Sequence, residues 1–180
     1  KTLFPYTTLF RSRILLASGV AATGISSLEP DTKRAIAAGL VSVAYLTDYL
    51  DGKASRADKD GATADGAQAD QTIDKLLSAA TDVFALWPEG LISSTEIAIP
   101  IIRDAGMTAL RNIVRKRGID TASVQAGKWA LAFKGGTQLF ALIAGVQHPT
   151  TNKVLQAAAA GYKVSSAVTS IDTWLATAEQ

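Results

Sequence analysis

The sequence predicts an all-α fold, a polytopic membrane bundle of about six transmembrane helices. Apolar stretches of helical length alternate with short segments rich in Pro, Gly and charge. Small residues recur four apart, at Ala35 and Gly39, Ala141 and Gly145, and Ala157 and Gly161, a spacing that allows close helix packing without a water-driven core. Ionisable residues within the apolar stretches are few: Asp82, Glu96, Arg103 and Asp104 are expected to face a site or a wet cavity. With 48% hydrophobic residues and a mean hydropathy of +0.18, composition alone leaves a soluble bundle open, and the segment pattern favours the membrane.

Taken in order, residues 1–12, KTLFPYTTLFRS, resemble the translation of a sequencing-adapter oligonucleotide. They are read as non-native, against the alternative of a true amphipathic N-terminus, and residues 13–180 as a single domain whose natural start is missing. The first helix is expected over about 14–28, broken by Glu29-Pro30-Asp31, and the second over about 33–53. The third spans about 67–87 and stops at Pro88-Glu89-Gly90. The fourth covers about 91–117, with a kink expected at Pro100 and an end at Gly118. The fifth covers about 124–147 and the sixth about 151–176. Trp87, at a helix end, fits an interfacial anchor, and His148, before Pro149, is expected to be exposed.

The absence of Cys excludes disulfides and thiolate metal sites, and a net charge of +2 gives no general attraction to nucleic acid. Position matters more than total charge. Lys53, Arg56 and Lys59, then Arg115, Lys116 and Arg117, fall in loops on one side, while residues 89–96 contain no Lys or Arg. Lys33, Arg34 and Lys153 run against this bias, but on balance it directs the first group to the cytoplasm. Arg115 to Arg117 suit contact with anionic membrane lipids.

The chemistry concentrates in residues 48–74, where D-Y-L-D-G-K-A-S-R is followed by a polar loop and then G-A-Q-A-D-Q-T-I-D-K. Asp48 and Asp51 are three apart and Asp70 and Asp74 four apart, so each pair shares a face of its own helix. Four carboxylates brought together between apolar helices repel one another unless cations neutralise them. Oxygen-only donors select hard ions, Mg²⁺ or Mn²⁺, and four acids suit two ions about 3.5–4 Å apart, an arrangement that serves phosphoryl transfer. Gly52 permits close approach of a phosphate, and Arg56 can clamp it as a bidentate cation. A calcium loop over residues 58–66 is excluded, because the sixth position, which needs Gly, is Thr63.

This stretch resembles the signature of the CDP-alcohol phosphatidyltransferases, D-x2-D-G-x2-A-R-x8-G-x3-D-x3-D, with Asp48, Asp51, Gly52, Arg56, Gly66, Asp70 and Asp74 in register. Ser55 replaces the Ala, and nine residues instead of eight separate Arg56 from Gly66. Arg13 stands where the family's entry pattern N-x2-T-x2-R ends. The resemblance implies that Asp48, Asp51 and Asp70 bind one metal, that Asp48, Asp70 and Asp74 surround the second, and that Asp74 is the catalytic base. It also implies that Gly52, Arg56, Thr63 and Gly66 contact the CDP moiety.

Arg103-Asp104, Leu110-Arg111, Gly127-Lys128, Lys134 and Gln138 are similar to motifs of the phosphatidylglycerophosphate synthase branch. That branch implies CDP-diacylglycerol as donor and glycerol 3-phosphate as acceptor, with Arg103, Lys128 and Lys134 on the acceptor phosphate. For the two lysines, snorkelling to headgroups is the competing reading. The resemblance also implies a bacterial-type inner-membrane enzyme, commonly a homodimer, with its site facing the cytoplasm. Other acceptors (inositol phosphate or phosphatidylglycerol), a catalytically silent helical scaffold and a soluble metal hydrolase are the alternatives.

Overall fold

The computed structural model describes residues 4–57, 64–118 and 125–178, with side chains over 12–50, 72–118 and 125–176. Among these residues the chain forms six α-helices, one π-helical segment and no strand. The helices are α1 (Phe4–Ile25), α2 (Pro30–Ala57), α3 (Ala64–Ala80), α4 (Ser94–Lys116), α5 (Gln125–Ala144) and α6 (Pro149–Ala178). The π-helical segment, Thr81–Leu86, continues α3. The all-α expectation holds, but no helix of the described residues is long and apolar enough to cross a membrane.

The helix ends follow local chemistry. α1 begins at Phe4, within the stretch set aside as non-native, and closes where the Ser26 hydroxyl donates to the Thr23 carbonyl at 2.6 Å. Pro30 and Pro149 occupy the first positions of α2 and α6, where the missing N–H costs nothing. They start helices that were expected a few residues later. Ser93 and Glu96 form a reciprocal capping box at the start of α4. The helix runs on through a buried Pro100 and is followed by Gly118 at φ +80°.

α1 packs against α2, α3 and the π-helical segment; α2 also contacts α5, and α6 lies against both α4 and α5. The main apolar cluster is built from small and medium side chains, including Val20, Ala37, Val41, Leu86 and Ala141. Of the expected small-residue pairs, Ala141 and Gly145 are buried, whereas Ala35, Gly39, Ala157 and Gly161 are exposed. Close approach falls to other glycines. A Cβ on Gly24 would collide with the Phe84 carbonyl, and one on Gly135 would lie 2.5 Å from the Tyr45 ring.

The polarity profile is inverted relative to a water-soluble bundle. Arg13, Asp82, Lys134, Gln138, Asn152, Gln156 and Lys163 are buried, while Leu15, Ile25, Ile102, Trp129, Ile143 and Val154 each expose more than half their surface.

Candidate functional site

The acidic residues are carried by two helices that pack on a third. Asp48 lies on α2 and Asp74 on α3, and both meet Arg13 of α1. Arg13 donates from Nη2 to Asp48 Oδ1 at 2.5 Å and from Nη1 to Asp74 Oδ1 at 3.1 Å. The arginine side chain is 3% exposed, Asp74 15% and Asp48 42%, so the cluster opens toward the surface on the α2 side. Charge-assisted hydrogen bonds to one planar guanidinium fix both carboxylates in direction as well as in charge.

Helix α2 continues through positions 51, 52 and 56, and α3 carries positions 66 and 70. The side chains of Asp51, Arg56 and Asp70, the surroundings of Gly52 and Gly66, and the whole of Thr63 lie outside the described residues. Among the described residues no three His, Cys, Asp or Glu side chains gather as metal ligands. The donor chemistry is nevertheless that of a hard cation. Two carboxylates from neighbouring helices converge on one positive centre, and the neighbourhood holds no sulfur or imidazole ligand in sequence.

A second polar cluster joins α4 to α6. Arg103 donates to Asp104 Oδ1 at 2.7 Å, to Ser166 Oγ at 2.8 Å and to the Lys163 carbonyl at 3.1 Å. Lys163 Nζ reaches Asp104 Oδ2 at 2.9 Å. From α3, Lys75, the residue after Asp74, donates to Thr108 Oγ1 at 3.3 Å. Arg111 stacks over the buried Trp174 ring at 5.5 Å. Lys75 interacts electrostatically with Arg103, Arg111, Lys163 and Asp104 of this cluster.

The three residues expected on the acceptor phosphate are not brought together. Arg103 belongs to the α4–α6 cluster, and Lys128 is exposed in the first turn of α5. Lys134 is 1% exposed inside the bundle, 3.1 Å from Asp82 Oδ2 and 3.1 Å from Gln156 Oε1. A lysine so enclosed does not snorkel. Its ammonium is compensated by Asp82, which also accepts from Gln138. The sequence reading passed over Lys75 and Lys163. A signal was present for each: Lys75 directly follows Asp74, and Lys163 is the only charge between residues 154 and 171.

A helical bundle with acids from two helices gathered on one cation, and a second cluster of basic side chains that begins one residue on at Lys75, has the parts of an enzyme acting on phosphate esters. The chain belongs to the CDP-alcohol phosphatidyltransferase family, whose model matches residues 6–176. It is therefore a phosphotransferase of phospholipid biosynthesis that uses CDP-alcohol substrates, in a family that employs divalent metals and is typically integral to membranes. No curated protein matches the chain.

Proposed function

We propose that the chain transfers a phosphatidyl group from CDP-diacylglycerol to glycerol 3-phosphate, giving phosphatidylglycerophosphate and CMP. Asp48, Asp51, Asp70 and Asp74 would hold two Mg²⁺ or Mn²⁺ ions, which supply Lewis acidity at the diphosphate when bound. Asp74 takes the proton of the acceptor hydroxyl as its oxygen forms a bond to the lipid-linked phosphorus, and the bond to CMP breaks with its electrons leaving on CMP. Gly52, Arg56, Thr63 and Gly66 hold the CDP moiety.

The observation that carries this reading is the meeting of Asp48 and Asp74 at Arg13, at 2.5 and 3.1 Å. The acceptor phosphate is assigned to Arg103 and Lys163, with Lys75 and Arg111 beside them, in place of the Arg103, Lys128 and Lys134 grouping expected from the motif. A dianion there would meet the Arg103 guanidinium and the Lys163 ammonium, which already converge on Asp104. The membrane setting is supported by the inverted polarity profile: interior polar groups lower the mean hydropathy of helices whose outward faces are apolar. Orientation with the acids toward the cytoplasm rests on the grouping of Lys53, Arg56 and Lys59 with Arg115, Lys116 and Arg117, against Lys33, Arg34 and Lys153.

The test is CMP release from CDP-diacylglycerol by the purified chain, with and without chelator, across glycerol 3-phosphate, inositol phosphate and phosphatidylglycerol. Metal-dependent release with glycerol 3-phosphate is expected. Release with either of the others instead would overturn the acceptor, and no metal dependence would overturn the mechanism.

A further inference from the structure

One amide side chain touches both helices that carry the acids. Gln138 of α5 is fully buried; its Oε1 accepts from the Tyr45 hydroxyl of α2 at 3.1 Å. Its Nε2 donates to the Ser78 carbonyl of α3 at 2.8 Å, to Ser78 Oγ at 3.1 Å and to Asp82 Oδ1 at 2.8 Å. The amide orientation is dictated by its partners, because a carbonyl and a carboxylate on one side both require the NH₂ group.

The spacing gives these contacts their meaning. Tyr45 precedes Asp48 by three residues and Ser78 follows Asp74 by four, so each contact lies one turn from an acid on the same helical face. Gly135, one turn before Gln138, makes room for the tyrosine: a Cβ there would sit 2.5 Å from Tyr45 Cζ and 2.7 Å from its hydroxyl. Below the amide, the Asp82–Lys134 pair and Gln156 extend the polar chain to Asn152, whose Nδ2 donates to the Leu91 carbonyl at 2.6 Å.

We propose that Gln138 is a positioning residue for the acid site, fixing the spacing and rotation of α2 and α3 so that Asp48 and Asp74 face one cation. It rests on the reading of those aspartates as metal ligands. Gln138 touches neither substrate nor metal; it acts through Tyr45 and Ser78.

The sequence contains no cysteine, so Leu46→Cys and Leu76→Cys, at exposed positions on α2 and α3, place two spin labels without background. Inter-label distances and Mn²⁺ titrations are measured on the full chain in lipid nanodiscs, with the Gln138→Leu, Tyr45→Phe and Gly135→Ala changes added singly. Gln138→Leu should broaden the α2–α3 distance distribution and raise half-saturation by Mn²⁺ at least about tenfold, the range seen when groups orienting metal ligands are removed. Tyr45→Phe and Gly135→Ala should move both readouts the same way. The Tyr45→Phe, Gln138→Leu double change should be no worse than Gln138→Leu alone. A lowered thermal midpoint with unchanged distances and Mn²⁺ half-saturation would mean a purely structural residue and overturn the proposal. If the parent chain binds no Mn²⁺, the metal reading falls, and the label distances still decide whether Gln138 sets the helix spacing. Should Gln138→Leu not fold, Tyr45→Phe, which removes a single oxygen, provides the same comparison.

Discussion

Asp82 and Lys134, from the π-helical segment and α5, approach to 3.1 Å with side chains 4% and 1% exposed. Each is the other's compensation for leaving water, and the remaining hydrogen-bonding capacity goes to Gln138 and Gln156. Removing one partner strands a buried charge. Lys134→Met should therefore destabilise the folded chain by about 3–5 kcal/mol, whereas Asp82→Leu combined with Lys134→Met should recover most of that loss. Denaturation of the parent and both variants in detergent checks it; equal loss in single and double variants would refute the pairing.

Asp74 is predicted to act as the base, and Asp74→Asn tests that role while keeping size and hydrogen-bonding shape. CMP release should fall by about 10²–10⁴-fold, with CDP-diacylglycerol binding largely intact. Near-normal turnover would remove the base assignment.

Arg13 aims two carboxylates, and a lysine in its place offers one ammonium without the planar fork. Arg13→Lys should reduce CMP release by about 10²-fold, the scale set by ångström-level misplacement of reacting groups. Retention of full activity would show that α1 contributes packing only.

Lys163→Met should raise the KM for glycerol 3-phosphate by about thirtyfold or more, since an anion would lose a desolvated cation, and leave the KM for CDP-diacylglycerol unchanged. Steady-state kinetics with each substrate varied in turn separates these outcomes. An equal rise in both constants would point to misfolding and not to the acceptor.

Much of the fold was legible because its signals are local. Apolar run lengths gave six helices, and Gly118 marked the end of α4. The misreadings were also local: Pro30 reads as part of a break and α6 as starting only at about 151, although proline suits a first helical turn, and the Ser93–Glu96 capping box was overlooked. The small-residue spacing misled for a different reason. Small residues four apart identify a smooth helix face but not what covers it, so Gly39 and Gly161 face open space while Gly24 and Gly135 take the close contacts.

The acids were legible as a spaced motif, but their relation to Arg13 was not, since the contacts join residues 35 and 61 positions apart. The same holds for Lys134. Its motif position favoured a substrate anion, and only packing reveals that Asp82, 52 residues earlier, receives it.

The π-helical turn has a consequence for how this scaffold can change. Trp87 N–H bonds the Asp82 carbonyl at 2.9 Å, five residues back, so this turn holds one residue more than an α-helical turn would. The wide turn takes up that surplus residue locally, so the residues after it keep their faces toward the bundle. Deleting one residue between 81 and 86 would restore uniform winding and leave Leu86 and Trp87 close to the faces they hold now. This turn is thus the place in the helix that bears Asp74 where the chain can shed a residue without turning its far tip.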